Sequence, residues 1–371
     1  QDLREGVGHG LAQVLALRHL RQAEHGVERR ADLVAHVGEE LALGAAGGLG
    51  LVFARHLLAR GARHLVLTGR RGGAGQEATL AGLRSNGADV RAIAADIGNP
   101  DDVRRLIASI DSEMPPLRGI LHGAAVIDDG VLRQQTADRF RNVWHPKAAG
   151  AWCLHQELGH RTLDFFVLFS SVASLTGSAG QGIYAAANGF LDGLAHLRRS
   201  LGLSALSLNW GPWAEVGAAT KGDILERLED RGLAGLKPGE CLAAFDELIG
   251  QPVPQVGVCA FDWPRFLDKF PGAQRPFYAT QASQAQPRFE SGQRFLDQLL
   301  TLDPGDQEPA LQHFVRQELV RVLRLKSPDH VKPRQRLFEL GMDSLTSVEL
   351  GGRMQSELGI RLPSTVMFDF P

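Results

Sequence analysis

The stretch 41-LALGAAGGLGLVFARHLLARGARHLVLTGRR-71 runs from a short apolar segment through a glycine cluster into helical spacing, then out into a second apolar run. Gly44, Gly47, Gly48 and Gly50 permit a tight turn and close backbone approach, and a helix opening at Leu49 presents free N–H groups to a pyrophosphate. The second run, 64-HLVLT-68, completes a strand–helix–strand unit. Outward from it the same alternation continues. Further candidate strands are 90-VRAIAA-95, 119-GILHGAA-125, 163-LDFFVLF-169, 204-SALSLNW-210 and 256-VGVCAF-261, with a helical pattern over 184-YAAANGFLDGLAHLRRS-200. Strands alternating with helices predict an α/β fold, a doubly wound parallel sheet covered on both faces.

The end of the second strand selects a cofactor. An acidic residue there would hold the adenosine ribose hydroxyls and repel a 2′-phosphate, whereas Arg70 and Arg71 favour that phosphate and hence NADPH. Asp96, with Ile97 beside it, ends the next strand and is placed to meet the adenine edge. Ala124 and Ala125 are placed under the nicotinamide ribose.

Composition narrows the class. The 371 residues carry a formal net charge of −2 and no long basic run, so nothing draws the chain to nucleic acid. No apolar stretch approaches the roughly 18–20 residues that span a bilayer, and no signal peptide opens the sequence. Cys153, Cys241 and Cys259 are scattered, which fits a reducing, cytoplasmic setting and neither disulfides nor a thiolate metal site. The histidines, His122 and His145 among them, form no metal-binding motif and are expected to be packed or half-exposed. The chain starts at Gln1 and stops at 366-VMFDFP-371, which reads as a segment of something larger.

Chemistry concentrates in 163-LDFFVLFSSVASLTGSAGQGIYAAANGF-190, where a strand, a bend and a helix would bring Ser171 beside Tyr184. Reduction of a ketone needs a proton donor where negative charge develops. A tyrosine, with an ordinary pKa of about 10, needs a nearby ammonium to serve near neutral pH. One helical turn past Tyr184, where a lysine is expected, stands Asn188.

Residues 36–265 resemble the ketoreductase domain of modular type I polyketide synthases, a Rossmann-like branch of the short-chain dehydrogenase/reductase superfamily. The resemblance rests on these residues and on 184-YAAANGFLDGLA-195 and 208-LNWGPW-213. In that family lysine and asparagine exchange sequence places. The resemblance therefore implies Lys147, Ser171, Tyr184 and Asn188 as the catalytic set, and Pro212 among the cofactor-binding residues with Leu49 and the glycines. It implies an acyl thioester substrate reduced at its β-keto group. The motif 127-IDD-129, with Asp129 at the stereocontrol position, and Thr176 in place of a tryptophan imply B-type reduction to a D-hydroxyl. Ala179 and Ile183 lack two minor B-type markers. Two further departures are Leu43-Gly44-Ala45 in place of Thr-Gly-Gly, which predicts weaker cofactor binding, and residues 1–35, too short for the family's structural half. The segment 213–236, with Gly217 and Gly222 as hinges, matches the family's substrate lid.

The tail resembles an acyl carrier protein: 340-LGMDSLTSVEL-350 places Ser344 as the phosphopantetheine acceptor, and Gly351 and Gly352 weaken the helix that follows. The expected organisation is a helical segment over 1–35, with 11-LAQVLALRHLRQAEH-25 as one amphipathic helix. Then come a ketoreductase over 36–270, a linker over 271–307 and a carrier over 308–371 that is cut short at its end. Implied partners are a phosphopantetheinyl transferase and the ketosynthase, acyltransferase, dehydratase and enoylreductase of one homodimeric megasynthase. Competing readings are a fatty acid synthase ketoreductase region and a non-catalytic scaffold joined to a carrier.

Overall fold

The computed structural model describes residues 13–16, 41–45, 48–85, 87–220, 222, 224–269, 276–278, 292–323, 325–358 except 326, 333, 334 and 343, and 362. They fall into two compact units. One comprises the described residues of 1–129, 135–229 and 233–261, and the other the described residues of 130–134, 230–232 and 262–371.

The first unit is a sheet flanked by helices. Its strands are β1 (Gln13–Ala16), β2 (Leu41–Ala45), β3 (His64–Gly69), β4 (Asp89–Ala94), β5 (Leu117–His122), β6 (Phe165–Ser171), β7 (Leu206–Trp210), β8 (Leu233–Ala234) and β9 (Gln255–Phe261). Their order is β1-β9-β7-β6-β5-β2-β3-β4, parallel throughout, with β8 antiparallel to β9. From β2 the chain moves outward through β3 to β4, then returns to the other side of β2 as β5. That reversal puts a topological switch point, where α/β sheets bind ligands, at the carboxyl ends of β2 and β5.

The residues explain the sheet. Along β6, Phe165, Val167 and Phe169 enter one buried cluster while Phe166 and Leu168 enter another, the two-residue period of a strand covered on both faces. The first cluster gathers α1 (Gly48–Ala59) and α9 (Pro238–Leu248) around Phe53, whose ring lies 4.7 Å from Phe169 and 4.9 Å from Phe245. Along the opposite face α3 (Pro100–Glu113) contributes Val103, Leu106, Ile107 and Ile110 at helical spacing. Here Asn99 caps α3 by accepting from Asp101 N–H, with Pro100 at its first position. Gly119 is required in β5, because a Cβ there would stand 2.0 Å from the Phe165 ring on the paired strand.

Gln13–Ala16 differ from the helix expected over 11–25. They pair with Val256–Cys259 at the sheet edge, where the ladder hydrogen bonds of a tertiary partner outweigh a local helical pattern. The rest of residues 1–35 lies outside the described residues.

The second unit is helical: α10 (Trp263–Lys269), α11 (Gly292–Thr301), α12 (Pro304–Leu323) and α13 (Ser344–Leu358). Its core joins Leu319 and Val322 to Val331, Met342 and Leu350. Glu318, 1% exposed, receives Arg321 from its own helix and Arg353 from α13, both at 2.5 Å. The stretch expected as a linker over 271–307 includes α11 and the start of α12. Phe295 on α11 stacks on Phe314 of α12 at 4.4 Å, so a segment polar in composition still supplies one apolar anchor.

Candidate functional site

At the switch point, β2 ends at Ala45 and α1 begins at Gly48, with Leu49 and Gly50 in its first turn. Gly44 lies within β2, paired with Leu67 and Leu121, so it belongs to the strand and not to the turn. Gly47 lies outside the described residues. A Cβ on Gly48 would meet Val216 at 3.3 Å, so residues that follow Trp213 reach over the start of α1. Arg70 and Arg71 follow β3 and are exposed. Asp96 takes up the Gly98 N–H at 3.1 Å and the His145 ring at 3.1 Å, while Ile97 is buried. Ala124 and Ala125 follow β5, and Pro212 is buried just beyond β7.

Tyr184 lies in the first turn of α7 (Gly182–Ser200). Positions 184, 188 and 192 are four apart and share a face of this helix. Asn188 is fully buried and donates from Nδ2 to the Tyr184 carbonyl at 2.8 Å, while its Oδ1 has no partner among the described residues. Ser171 ends β6 and caps α6 (Val172–Thr176), its Oγ accepting from Ala173 N–H at 3.2 Å. Ser170, its neighbour, points the other way, 4% exposed, toward the Asn188 carbonyl and Asn209. Burial raises the Tyr184 pKa, and the Asn188 and Ser171 side chains pull it back by hydrogen bonding. It is therefore Ser171, not Ser170, that meets the tyrosine.

Lys147 comes from another element. Between α4 (Ala137–Trp144) and α5 (Gly150–Leu158) the helix widens into a π-turn, His145–Ala149. Pro146 sits inside it and offers no N–H to the preceding turn, a reason for the helix to widen here. From this turn Lys147 runs inward, 2% exposed, donates from Nζ to the Phe169 carbonyl at 2.8 Å, and lies 5.5 Å from the Tyr184 ring centroid. Burial pulls its pKa down to about 7, against which the Asp192 carboxylate acts. The four residues expected to act together, Lys147, Ser171, Tyr184 and Asn188, thus converge from three elements.

Behind them lies a polar network that the sequence reading missed. Asp192 accepts from Ser207 Oγ at 2.6 Å, Ser174 Oγ at 2.7 Å and Asn209 Nδ2 at 2.9 Å. Asn209 in turn accepts from Gln255 at 3.1 Å. The four-residue spacing 184, 188, 192 was the available signal. At the rim, Gln181 donates to the Asp129 carboxylate at 3.1 Å, and Arg139 pairs with Asp128 and donates to the Asp129 carbonyl at 2.6 Å. Loss of hydration raises the Asp129 pKa, and the Gln181 amide opposes the rise.

The segment expected as a lid is tied down at both ends, Ala214 N–H donating to the Leu236 carbonyl and Leu236 N–H to the Pro212 carbonyl, each at 2.8 Å. Gly217 and Gly222 have φ of 98° and 61°, the left-handed region where glycine is at ease. In the helical unit Ser344 is the first residue of α13, where backbone N–H groups and the helix dipole favour a phosphodiester, and Gly351 and Gly352 lie inside that helix. Among the described residues no group of three or more His, Cys, Asp or Glu could hold a metal, and no helix is long and apolar enough to cross a membrane.

Residues 38–215 match the KR domain family, and residues 313–371 match the phosphopantetheine attachment site family. The chain thus carries a KR domain with a phosphopantetheine attachment domain behind it. This ketoreductase–carrier chain is 40% identical over 346 residues to the spectinabilin polyketide synthase system protein NorB of Streptomyces orinoci, covering 90% of this chain and 16% of that protein. It is 35% identical over 377 residues to a putative inactive phenolphthiocerol synthesis polyketide synthase type I, Pks1, of Mycobacterium tuberculosis, covering 96% and 23%. It therefore spans less than a quarter of the length of either relative.

Solved structures agree. An A1-type ketoreductase shares 37% identity at a TM-score of 0.61, covering 67% of this chain and 53% of that one. The ketoreductase from the first module of phoslactomycin biosynthesis in Streptomyces sp. HK803 shares 33% at 0.63, covering 67% and 58%. A C2-type ketoreductase shares 34% at 0.57, covering 65% and 51%. Neighbours of different types are thus similarly related, and overall likeness does not assign stereochemical class.

Proposed function

We propose that this ketoreductase–carrier chain reduces the β-keto group of an acyl thioester to a β-hydroxyl with NADPH, while its carrier domain holds a growing chain on phosphopantetheine at Ser344. The observation that carries this reading is the buried Lys147 ammonium lying 5.5 Å from the Tyr184 ring, with Ser171 beside the same tyrosine.

The residues at the switch point fit a dinucleotide. Gly48, Leu49 and Gly50 would meet the pyrophosphate at a helix start, Arg70 and Arg71 the 2′-phosphate, and Asp96 with Ile97 the adenine. Ala124, Ala125 and Pro212 would flank the nicotinamide end. When bound, NADPH supplies the hydride. The protein does the rest. Ser171 Oγ donates to the substrate oxygen, and Tyr184 gives its proton to that oxygen as charge develops. Lys147 favours the phenolate left behind. The unpartnered Oδ1 of Asn188 accepts a hydrogen bond from a water that returns the proton.

The motif 127-IDD-129, with Asp129 held at the rim by Gln181, and Thr176 in place of a tryptophan support B-type delivery and a D-hydroxyl. Partners on this reading are a phosphopantetheinyl transferase and the ketosynthase, acyltransferase and other domains of a homodimeric polyketide synthase in the cytoplasm. NADPH oxidation with a β-ketoacyl pantetheine thioester, followed by chiral analysis, tests the proposal. A D-alcohol is expected. An L-alcohol overturns the B-type reading, and an absence of both turnover and NADPH binding overturns the enzyme.

A further inference from the structure

The π-turn that carries Lys147 is gripped from the sheet. His122, the last residue of β5, is 4% exposed and places its ring Nε2 2.8 Å from the Lys147 carbonyl oxygen. A carbonyl only accepts, so Nε2 is assigned the hydrogen. Burial pulls the His122 pKa down to about 4, so the ring is a neutral donor near neutral pH. The contact is close-fitting. A Cβ on Gly150, the residue that follows the turn, would stand 3.1 Å from His122 Cε1 and 2.7 Å from Ile97 Cγ2. The same Lys147 carbonyl also accepts the Gly150 N–H.

Lys147 is thereby anchored at both ends by adjacent strands. Its Nζ is tied to the Phe169 carbonyl on β6 and its backbone carbonyl to His122 on β5. His122 and Leu168, the neighbour of Phe169, are paired residues of those strands. A π-turn is a rare and poorly favoured backbone, often found at functional sites, and such a turn needs outside contacts to hold one shape. The sheet supplies both of them.

We propose that His122 is a positioning residue for ketoreduction, a hydrogen-bond donor that fixes the π-turn and so holds the Lys147 ammonium against Tyr184. This rests on the reading of Lys147 as the ammonium that serves Tyr184. The titratable groups that face the ammonium are Asp192 and Tyr184 from α7 and His122 from β5, with Asp129 acting on Tyr184 from the rim.

The test compares His122→Leu, His122→Gln, His122→Asn and Lys147→Met in the full chain. It reads kcat and its pH dependence with a β-ketoacyl pantetheine thioester, the KM for NADPH, and the thermal melt. A Gln amide can donate from near the imidazole Nε2, while Leu has no donor and Asn falls short. In His122→Leu, kcat is expected to drop about tenfold or more, as small misplacements of a catalytic group do. The pH at which its rate declines should move, and the KM for NADPH should hold. In His122→Gln most of the rate and the original pH profile should return. Should His122→Leu fail to fold, Gln is expected to outperform Asn by a similar factor. A folded His122→Leu with the parent rate overturns the inference, as does an equal rate in Gln and Asn. Lys147→Met separates the two levels: its loss of turnover beside an unaffected His122→Leu defeats the inference alone, and its full turnover defeats the underlying reading as well.

Discussion

On the proposed reading, the two units place their functional groups in opposite ways. In the sheet unit, Lys147, Ser171, Tyr184 and Asn188 come from three elements, and the lysine and asparagine are almost wholly buried. In the helical unit one residue, Ser344, stands at the start of one helix. The difference follows from what each reaction asks of the protein. Proton transfer to a developing alkoxide needs charge fixed where water cannot screen it, and fixing charge in the interior costs stability. Attachment of a prosthetic arm needs an acceptor at a helix start and little else.

The largest expected effect falls on the simpler site. Ser344→Ala should remove the entire phosphopantetheine mass gain when a transferase and coenzyme A are supplied, read by intact mass spectrometry. A remaining mass gain would place the acceptor elsewhere. On the complex site, Tyr184→Phe should lower reduction of a β-ketoacyl thioester by about 10²–10⁴-fold, the usual worth of a general acid.

Lys147→Met sharpens the contrast by moving activity and stability in opposite directions. Burial holds the folded-state pKa at about 7, well below the ordinary 10.5, so the unfolded chain binds the proton more tightly. The cost to the fold is complete below pH 7 and is relieved as pH rises toward 10.5. The variant should therefore lose reduction yet melt at a higher temperature than the parent at pH 6, with the gap closing at alkaline pH. An equal or lower melting temperature at pH 6 would show that the lysine carries no such burden. In the parent the reduction rate should fall as pH rises past about 7, where the ammonium is lost.

A smaller effect belongs to the rim. Replacing both Arg70 and Arg71 by alanine should weaken NADPH about 10- to 100-fold, the scale of one charge-assisted hydrogen bond or two, and leave NADH affinity nearly as it was. Equal loss for both dinucleotides would mean that the arginines do not read the 2′-phosphate.

Much of this was legible in the residues. Apolar runs such as 163-LDFFVLF-169 announce strands buried on both faces, and the set Lys147, Ser171, Tyr184, Asn188, which the family resemblance implied, is brought together. Gln13–Ala16 read as helix because a four-residue edge strand leaves too short a pattern, and its hydrogen-bond partner lies some 240 residues away at Val256–Cys259. The π-turn is likewise invisible to periodicity, since a single widened turn shifts the helical phase without changing composition. His122 looked like a packed histidine, and it is packed. What the sequence could not say is that its free nitrogen meets the Lys147 carbonyl, a contact made across 25 residues. Asp192 was within reach of sequence reasoning, two turns beyond Tyr184 on one helix face, but the donors that hold it come from other elements.

The central claim is that a buried lysine makes Tyr184 an acid for ketone reduction. Its most direct test is the rate of NADPH oxidation by the whole chain with a β-ketoacyl pantetheine thioester, parent against Lys147→Met, under conditions where both melt cooperatively and both bind NADPH. The account predicts steady oxidation with a β-hydroxyacyl product in the parent and near-complete loss in the variant. Equal rates in the two proteins would contradict it.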